Sequence, residues 1–224
     1  MTPERLSRIR SVLDQRQPDL TVITEEVQKG RNLSAIIRTC DAVGIPEVHS
    51  VVPREGFTSY NGTAASAHKW VDIHHYSTAL EPITALTQQG YQIVAAHVDR
   101  NAKDFREIDY TKPTALLMGA EIWGVSEPAQ ELVTHTIHLP MVGMIESYNV
   151  SVACAGILLE AQRQRQEKGL YSAPRLNKDR YDALFFRWAH PKIAKFCHEK
   201  NIPYPPLDEE GEIINPAAWY HSVR

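Results

Sequence analysis

Cysteine is scarce in this 224-residue sequence: Cys40, Cys154 and Cys197 are odd in number, far apart and without a CxxC spacing. Neither a disulfide framework nor a zinc site can be built on them, and a reducing compartment, the cytoplasm, is expected. Long apolar runs are lacking too. The longest, Thr114–Ala120 and Val150–Leu159, fall well short of the ~20 residues that a membrane span needs and are expected as a buried strand and a buried helix. Met1–Arg16 alternates arginine with apolar residues at helical spacing, so no secretory signal is expected. No GxGxxG follows the first predicted strand, which argues against a generic dinucleotide enzyme. His68, His74 and His75 show no ligand spacing, and no metal is assigned.

Charge of one sign is not in excess overall, at a net −3, but its distribution is uneven. Residues 1–38 carry seven basic and five acidic side chains, and residues 39–160 carry six and fourteen. Residues 161–200 then carry ten and four, and residues 201–224 one and four. An acidic centre is therefore flanked by basic segments, and a polyanion neutralised by Lys and Arg would meet those flanks. Ordinary solvated helix faces explain the same charges equally well.

Met1–Gln17 is expected as a helix, because Leu6, Ile9 and Leu13 share a face and Pro18 stops it. Strands are expected at 20–23, 47–52, 70–74, 91–97, 115–118 and 136–139, with helices at 33–43, 78–88 and 150–166. Alternation of this kind predicts a mostly parallel sheet with helices on both faces. Residues 56–67 (GFTSYNGTAASA) are expected as a mobile loop. Beyond Ser172, basic and aromatic residues mix on what should be two short helices broken by Pro191, before a Pro-rich acidic tail. The length suits one core with appendages. The expected divisions are 1–17, a basic helical extension; 18–168, the main domain; and 169–224, a helical extension with a tail.

Three segments are poorly chosen for mere packing. In Asn32–Arg38 (NLSAIIR), an arginine lies amid apolar neighbours six residues after a candidate N-cap. Simple capping by Asn32 and pairing of Arg38 with Asp41 is the plainer explanation. In Met118–Gly124 (MGAEIWG), Glu121 stands at the carboxyl end of a parallel strand, where open α/β sheets bind ligands, though it could also cap the next helix. In Leu139–Ala153 (LPMVGMIESYNVSVA), an irregular apolar loop suits an adenine ring, and Ser147, Asn149 and Ser151 gather where a helix begins. Ordinary capping would account for SYNVS equally well.

Taken together, in this order and at this spacing, the three segments resemble the signature motifs of the SpoU or TrmH branch of the SPOUT RNA 2'-O-methyltransferases. RQPDLTV, AIIRTCDAVG, DFREIDYTKPT, EAQRQRQ and NIPYP extend the resemblance to the TrmH subgroup over nearly the whole chain. The resemblance implies an α/β knot fold, with a deep trefoil knot in the carboxyl half of the sheet and helical amino- and carboxyl-terminal extensions. It implies S-adenosylmethionine as cofactor, guanosine 18 of tRNA as substrate, and a homodimer whose site is completed by the partner's copy of Arg38.

By the same resemblance, Arg38, Asn32, Glu121, Ser147 and Asn149 form the catalytic group, with Asn32 orienting Arg38 and Glu121 fixing the loop or the opposing arginine. Ala96, Gly119, Leu139, Met144 and Tyr148 hold the cofactor. Arg5, Arg8, Arg10, Arg163, Arg165, Arg175 and Lys178 contact RNA, with Phe185, Phe186 and Trp188 available to stack on bases, although core packing suits that aromatic group better. Tyr148 replaces a more common leucine, and Ala96 stands where threonine also occurs. Another tRNA position, ribosomal RNA, or a non-catalytic knotted RNA-binding protein are the competing expectations.

Overall fold

Apolar or β-branched residues fill LTVITE up to its last position and all of TALLM, marking strands buried on both faces. In the computed structural model they form the middle of a sheet. The structure describes residues 1–27, 29–52, 69–97, 99, 101–120 and 123–223. The expected loop at 56–67 and Glu121 lie outside them.

Residues Gln17–Tyr171 form one compact unit. Its strands are β1 (Leu20–Glu25), β2 (Glu47–Val51), β3 (Asp72–Tyr76), β4 (Gln92–Ala96), β5 (Lys103–Asp104), β6 (Thr114–Met118) and β7 (His135–His138). They pair in the order β3-β2-β1-β6-β4-β7-β5, and every pairing is parallel. Side-chain alternation then divides the core. Leu20, Val22, Leu116 and Met118 face the helices α2 (Gly30–Ala42) and α5 (Val150–Glu167), through Ile36, Cys40, Cys154 and Ile157. Ile23, Ala115 and Leu117 face α3 (Leu80–Gln88) and α4 (Glu127–Gln130), through Ile83, Leu86 and Ala129. The expected parallel sheet covered on both faces is what forms.

Three details depart from the sequence expectation. The two-residue β5, the 3-10 turn Phe105–Glu107 and α4 are too short to show a period. Helix α2 begins three residues early, with Lys29 at the N-cap, so Asn32 lies inside the helix and does not cap it. Arg165, expected at an RNA surface, is fully buried on α5. Its guanidinium donates to the carbonyls of Tyr110 (2.8 Å), Asp19 (3.2 Å) and Lys112 (3.1 Å), to Gln17 Oε1 (3.1 Å) and to the Asp19 carboxylate (2.7 Å). A buried charge needs such a set of partners, and this one ties the end of α5 to the entrances of β1 and β6, out of reach of a phosphate.

Met1–Arg16 and Ser172–Arg224 form a second compact unit, so the two chain ends pack with each other. It contains α1 (Pro3–Asp14), α6 (Lys178–Ala189), α7 (Pro191–Lys200) and α8 (Pro216–Ser222). Ile9 and Leu13 of α1 are buried, as are Leu184, Phe185, Phe186 and Trp188 of α6. Phe186 stacks on Tyr204 with centroids 4.4 Å apart, and the Arg16 guanidinium lies over Trp188 at 5.1 Å. The three aromatics considered for base stacking are thus core, as burial of so much ring area favours. Arg5 donates to the Trp188 carbonyl at 2.9 Å, and Arg10 to that of Glu209 at 2.6 Å.

Candidate functional site

Strands β6, β4 and β7 are neighbours, and the chain leaves the carboxyl end of each into a loop. A cavity of about 490 Å³ opens there, within the size range of small-molecule sites and at the end of a parallel sheet where such sites form. Ala96 and His97 line it after β4, Met118 to Ala120 with Trp123 and Gly124 after β6, and Ile137 to Leu139 at the end of β7. Met141, Glu146 to Val150 and Ala153 close it from the loop before α5 and from the helix itself.

The turn after β6 shows why two glycines are needed. Ala120 and Gly124 exchange backbone hydrogen bonds of 2.9 Å in each direction. A Cβ on Gly119 would collide with the Gly124 carbonyl group, and one on Gly124 would stand 2.8 Å from His97 Nδ1 at a positive φ of 69°. Outside this turn, Ser126 donates through its backbone N–H (3.0 Å) and its hydroxyl (2.6 Å) to the carboxylate of Glu25, buried at the end of β1. Glu25 is a positioning residue that the sequence reading passed over. Its signal was a carboxylate closing a strand otherwise made of apolar and threonine residues.

The loop before α5 is fixed at its far end by Asn149. This side chain caps α5 by accepting from Ser151 N–H (3.0 Å) and Ser151 Oγ–H (2.6 Å), while its amide donates to Asn32 Oδ1 at 3.3 Å. The first and third motifs therefore meet. His138 donates from Nδ1 to the Ala102 carbonyl at 3.1 Å.

Of the residues expected at the cofactor, Ala96, Gly119, Leu139 and Tyr148 line the cavity, as do Ser147 and Asn149 of the catalytic group. Met144 does not: its side chain is fully exposed, and Met141 lines the wall in its place. Arg38 is exposed on α2 and absent from the lining. His97, His138 and Glu146 also line the cavity without having been singled out from sequence. Each stands at or just beyond a strand end or inside the apolar loop, positions that only the fold identifies.

A sulfonium nucleoside fits this donor set. Met118, Ile137, Leu139, Met141 and Ala153 offer an apolar wall for a purine, and Glu146 supplies a carboxylate for a cationic group. Among the described residues no cluster suited to a metal ion is found, and no helix is long and apolar enough to cross a membrane.

Residues 19–159 match the SpoU rRNA Methylase family, and residues 163–216 the SpoU, rRNA methylase, C-terminal family. The chain is 45% identical over 226 residues to the tRNA (guanosine(18)-2'-O)-methyltransferase of Escherichia coli K12, covering all of this chain and 99% of that protein. The A. aeolicus TrmH/SpoU tRNA modifying enzyme is 42% identical with a TM-score of 0.79, over 85% of this chain and 97% of that one. An AdoMet-bound rRNA methyltransferase from Sinorhizobium meliloti is 28% identical with a TM-score of 0.56, over 69% and 59%.

Proposed function

The chain belongs to the SpoU methylase family, and on that premise we propose that it methylates the ribose 2'-hydroxyl of guanosine 18 in tRNA, with S-adenosylmethionine as methyl donor. The observation that carries this reading is the cavity at the ends of β6, β4 and β7, closed by the PMVGMIESYNVSVA segment and pinned through Asn149 to Asn32. The relatives that span nearly the same length are named for the guanosine 18 reaction.

The donor, when bound, presents an electrophilic methyl group to the incoming ribose oxygen. The residues of the chain contribute position. A rigid cleft that holds both reactants in line can supply on the order of 7 to 11 kcal/mol of the barrier. The turn at Gly119 and Gly124 and the cap at Asn149 provide that rigidity, with Ser147 and Glu121 assigned to the same loops. A guanidinium is a poor base, so Arg38 acts electrostatically: it binds an adjacent phosphate and stabilises the developing alkoxide, while the hydroxyl proton passes to phosphate or water.

Arg38 lies off the cavity of its own chain, which supports a homodimer in which each copy delivers Arg38 to its partner's site. The exposed apolar side chains of Val142, Met144, Ile145, Val152 and Leu159 support an interface on the loop and the outer face of α5. A trefoil knot in the carboxyl half is inferred as well. It is supported by β7 lying between the earlier strands β4 and β5. Arg5, Arg8 and Arg10 on α1, Arg175 and Lys178 before and on α6, and Arg163 on α5 are proposed to contact tRNA phosphates in the cytoplasm. Arg163 is already held by Glu160 (2.8 Å) and Glu167 (2.6 Å), so its share is the weakest.

Incubation with labelled S-adenosylmethionine and unmodified tRNA, followed by mapping of the label, tests the assignment. The expected product carries one 2'-O-methyl group at guanosine 18. Label on a base, or at another nucleotide, overturns it.

A further inference from the structure

We propose that Glu146 is a specificity-determining residue that makes the cavity prefer the cationic methyl donor over its neutral thioether product. This rests on the methyl-donor reading above. Glu146 is the single acidic side chain among the described residues that line the cavity, and neither Lys nor Arg is among them. The other titratable groups on the wall are His97, His138 and Tyr148.

Donor and product share the adenosine, the ammonium and the carboxylate, and they differ by one methyl group and one positive charge on sulfur. Apolar walls and hydrogen bonds to the shared parts hold both alike. A formal negative charge on the wall does not, because its attraction to the sulfonium vanishes once the methyl has left. Glu146 lies three residues before the Asn149 cap, within the loop that this cap ties to α2 through Asn32. Its exposure screens the interaction, so the expected preference is modest, about threefold to fivefold.

Calorimetric titration of the full-length protein with S-adenosylmethionine and with S-adenosylhomocysteine tests the idea. In Glu146→Gln, which removes the charge at nearly constant shape, the donor should bind about threefold to fivefold more weakly while the product changes by less than about twofold. Glu146→Asp should restore most of the preference. Raising the salt from about 50 to about 500 mM should erode the preference of the wild-type protein and leave that of Glu146→Gln unchanged. Equal weakening of both ligands, or an unchanged ratio in a variant with the wild-type unfolding midpoint, overturns the inference alone. If the wild-type protein binds neither ligand, the methyl-donor reading falls, and this inference with it.

Discussion

Arg38 shows what a single residue can reveal and what it cannot. Six positions after Asn32 on an amphipathic helix, it falls on a different face, which is why Asn32 is buried against Asn149 while Arg38 is exposed. If its planar fork binds phosphate and alkoxide together, Arg38→Lys should lose on the order of a hundredfold in kcat with little change in donor affinity. Single-turnover kinetics would check this, and a loss of only a fewfold would mean that bidentate geometry is not required. His49 offers a second test. Burial holds its pKa down to about 4, against a free value of 6.5, with Glu47 opposing and His74 adding to the shift. Its Nδ1 sits 3.1 Å from the Tyr76 hydroxyl. The unfolded ring binds its proton more readily, so stability is complete above pH 6.5 and declines as the pH falls toward 4, by roughly 3 kcal/mol at most. Denaturant titrations at several pH values should show that slope in the wild-type protein and a shallower one in His49→Gln.

At the scale of elements, the long strands and helices were legible because their patterns are: β1 and β6 are runs of apolar and β-branched residues, buried throughout, and α1, α2 and α3 each show one buried stripe. Elements of two to four residues were not, since no period fits inside them. Helix α5 misled in a different way. Its AQRQRQE end reads as a basic surface, and one of its arginines, Arg163, is exposed between two glutamates. Arg165, two positions on, points inward and carries five hydrogen bonds. Replacing it by Met should therefore destabilise the chain by about 3 to 5 kcal/mol, because Asp19 and three carbonyls lose their donor. Urea unfolding is the measure. A stable, folded Arg165→Met that has lost only tRNA affinity would instead restore the expected surface role.

At the scale of the whole molecule, the decisive question is whether one chain makes a complete site. Arg38→Ala and Asn149→Ala should each be inactive alone. If Arg38 acts on the partner's cavity, co-refolding the two at equal amounts gives a heterodimer with one intact site, and the mixture should regain about a quarter of wild-type turnover. A mixture that stays inactive would place Arg38 in its own chain's cavity. The sequence by itself determined the parallel sheet, the family and the segments that form the cavity, because these follow from hydrophobic period and from residue order. Only the tertiary structure decided which arginine is buried, which methionine lines the wall, that the two chain ends pack with each other, and that Glu25 and Glu146 stand beside the loops that matter. Those outcomes depend on side-chain direction and on contacts between residues distant in sequence, which no local pattern encodes.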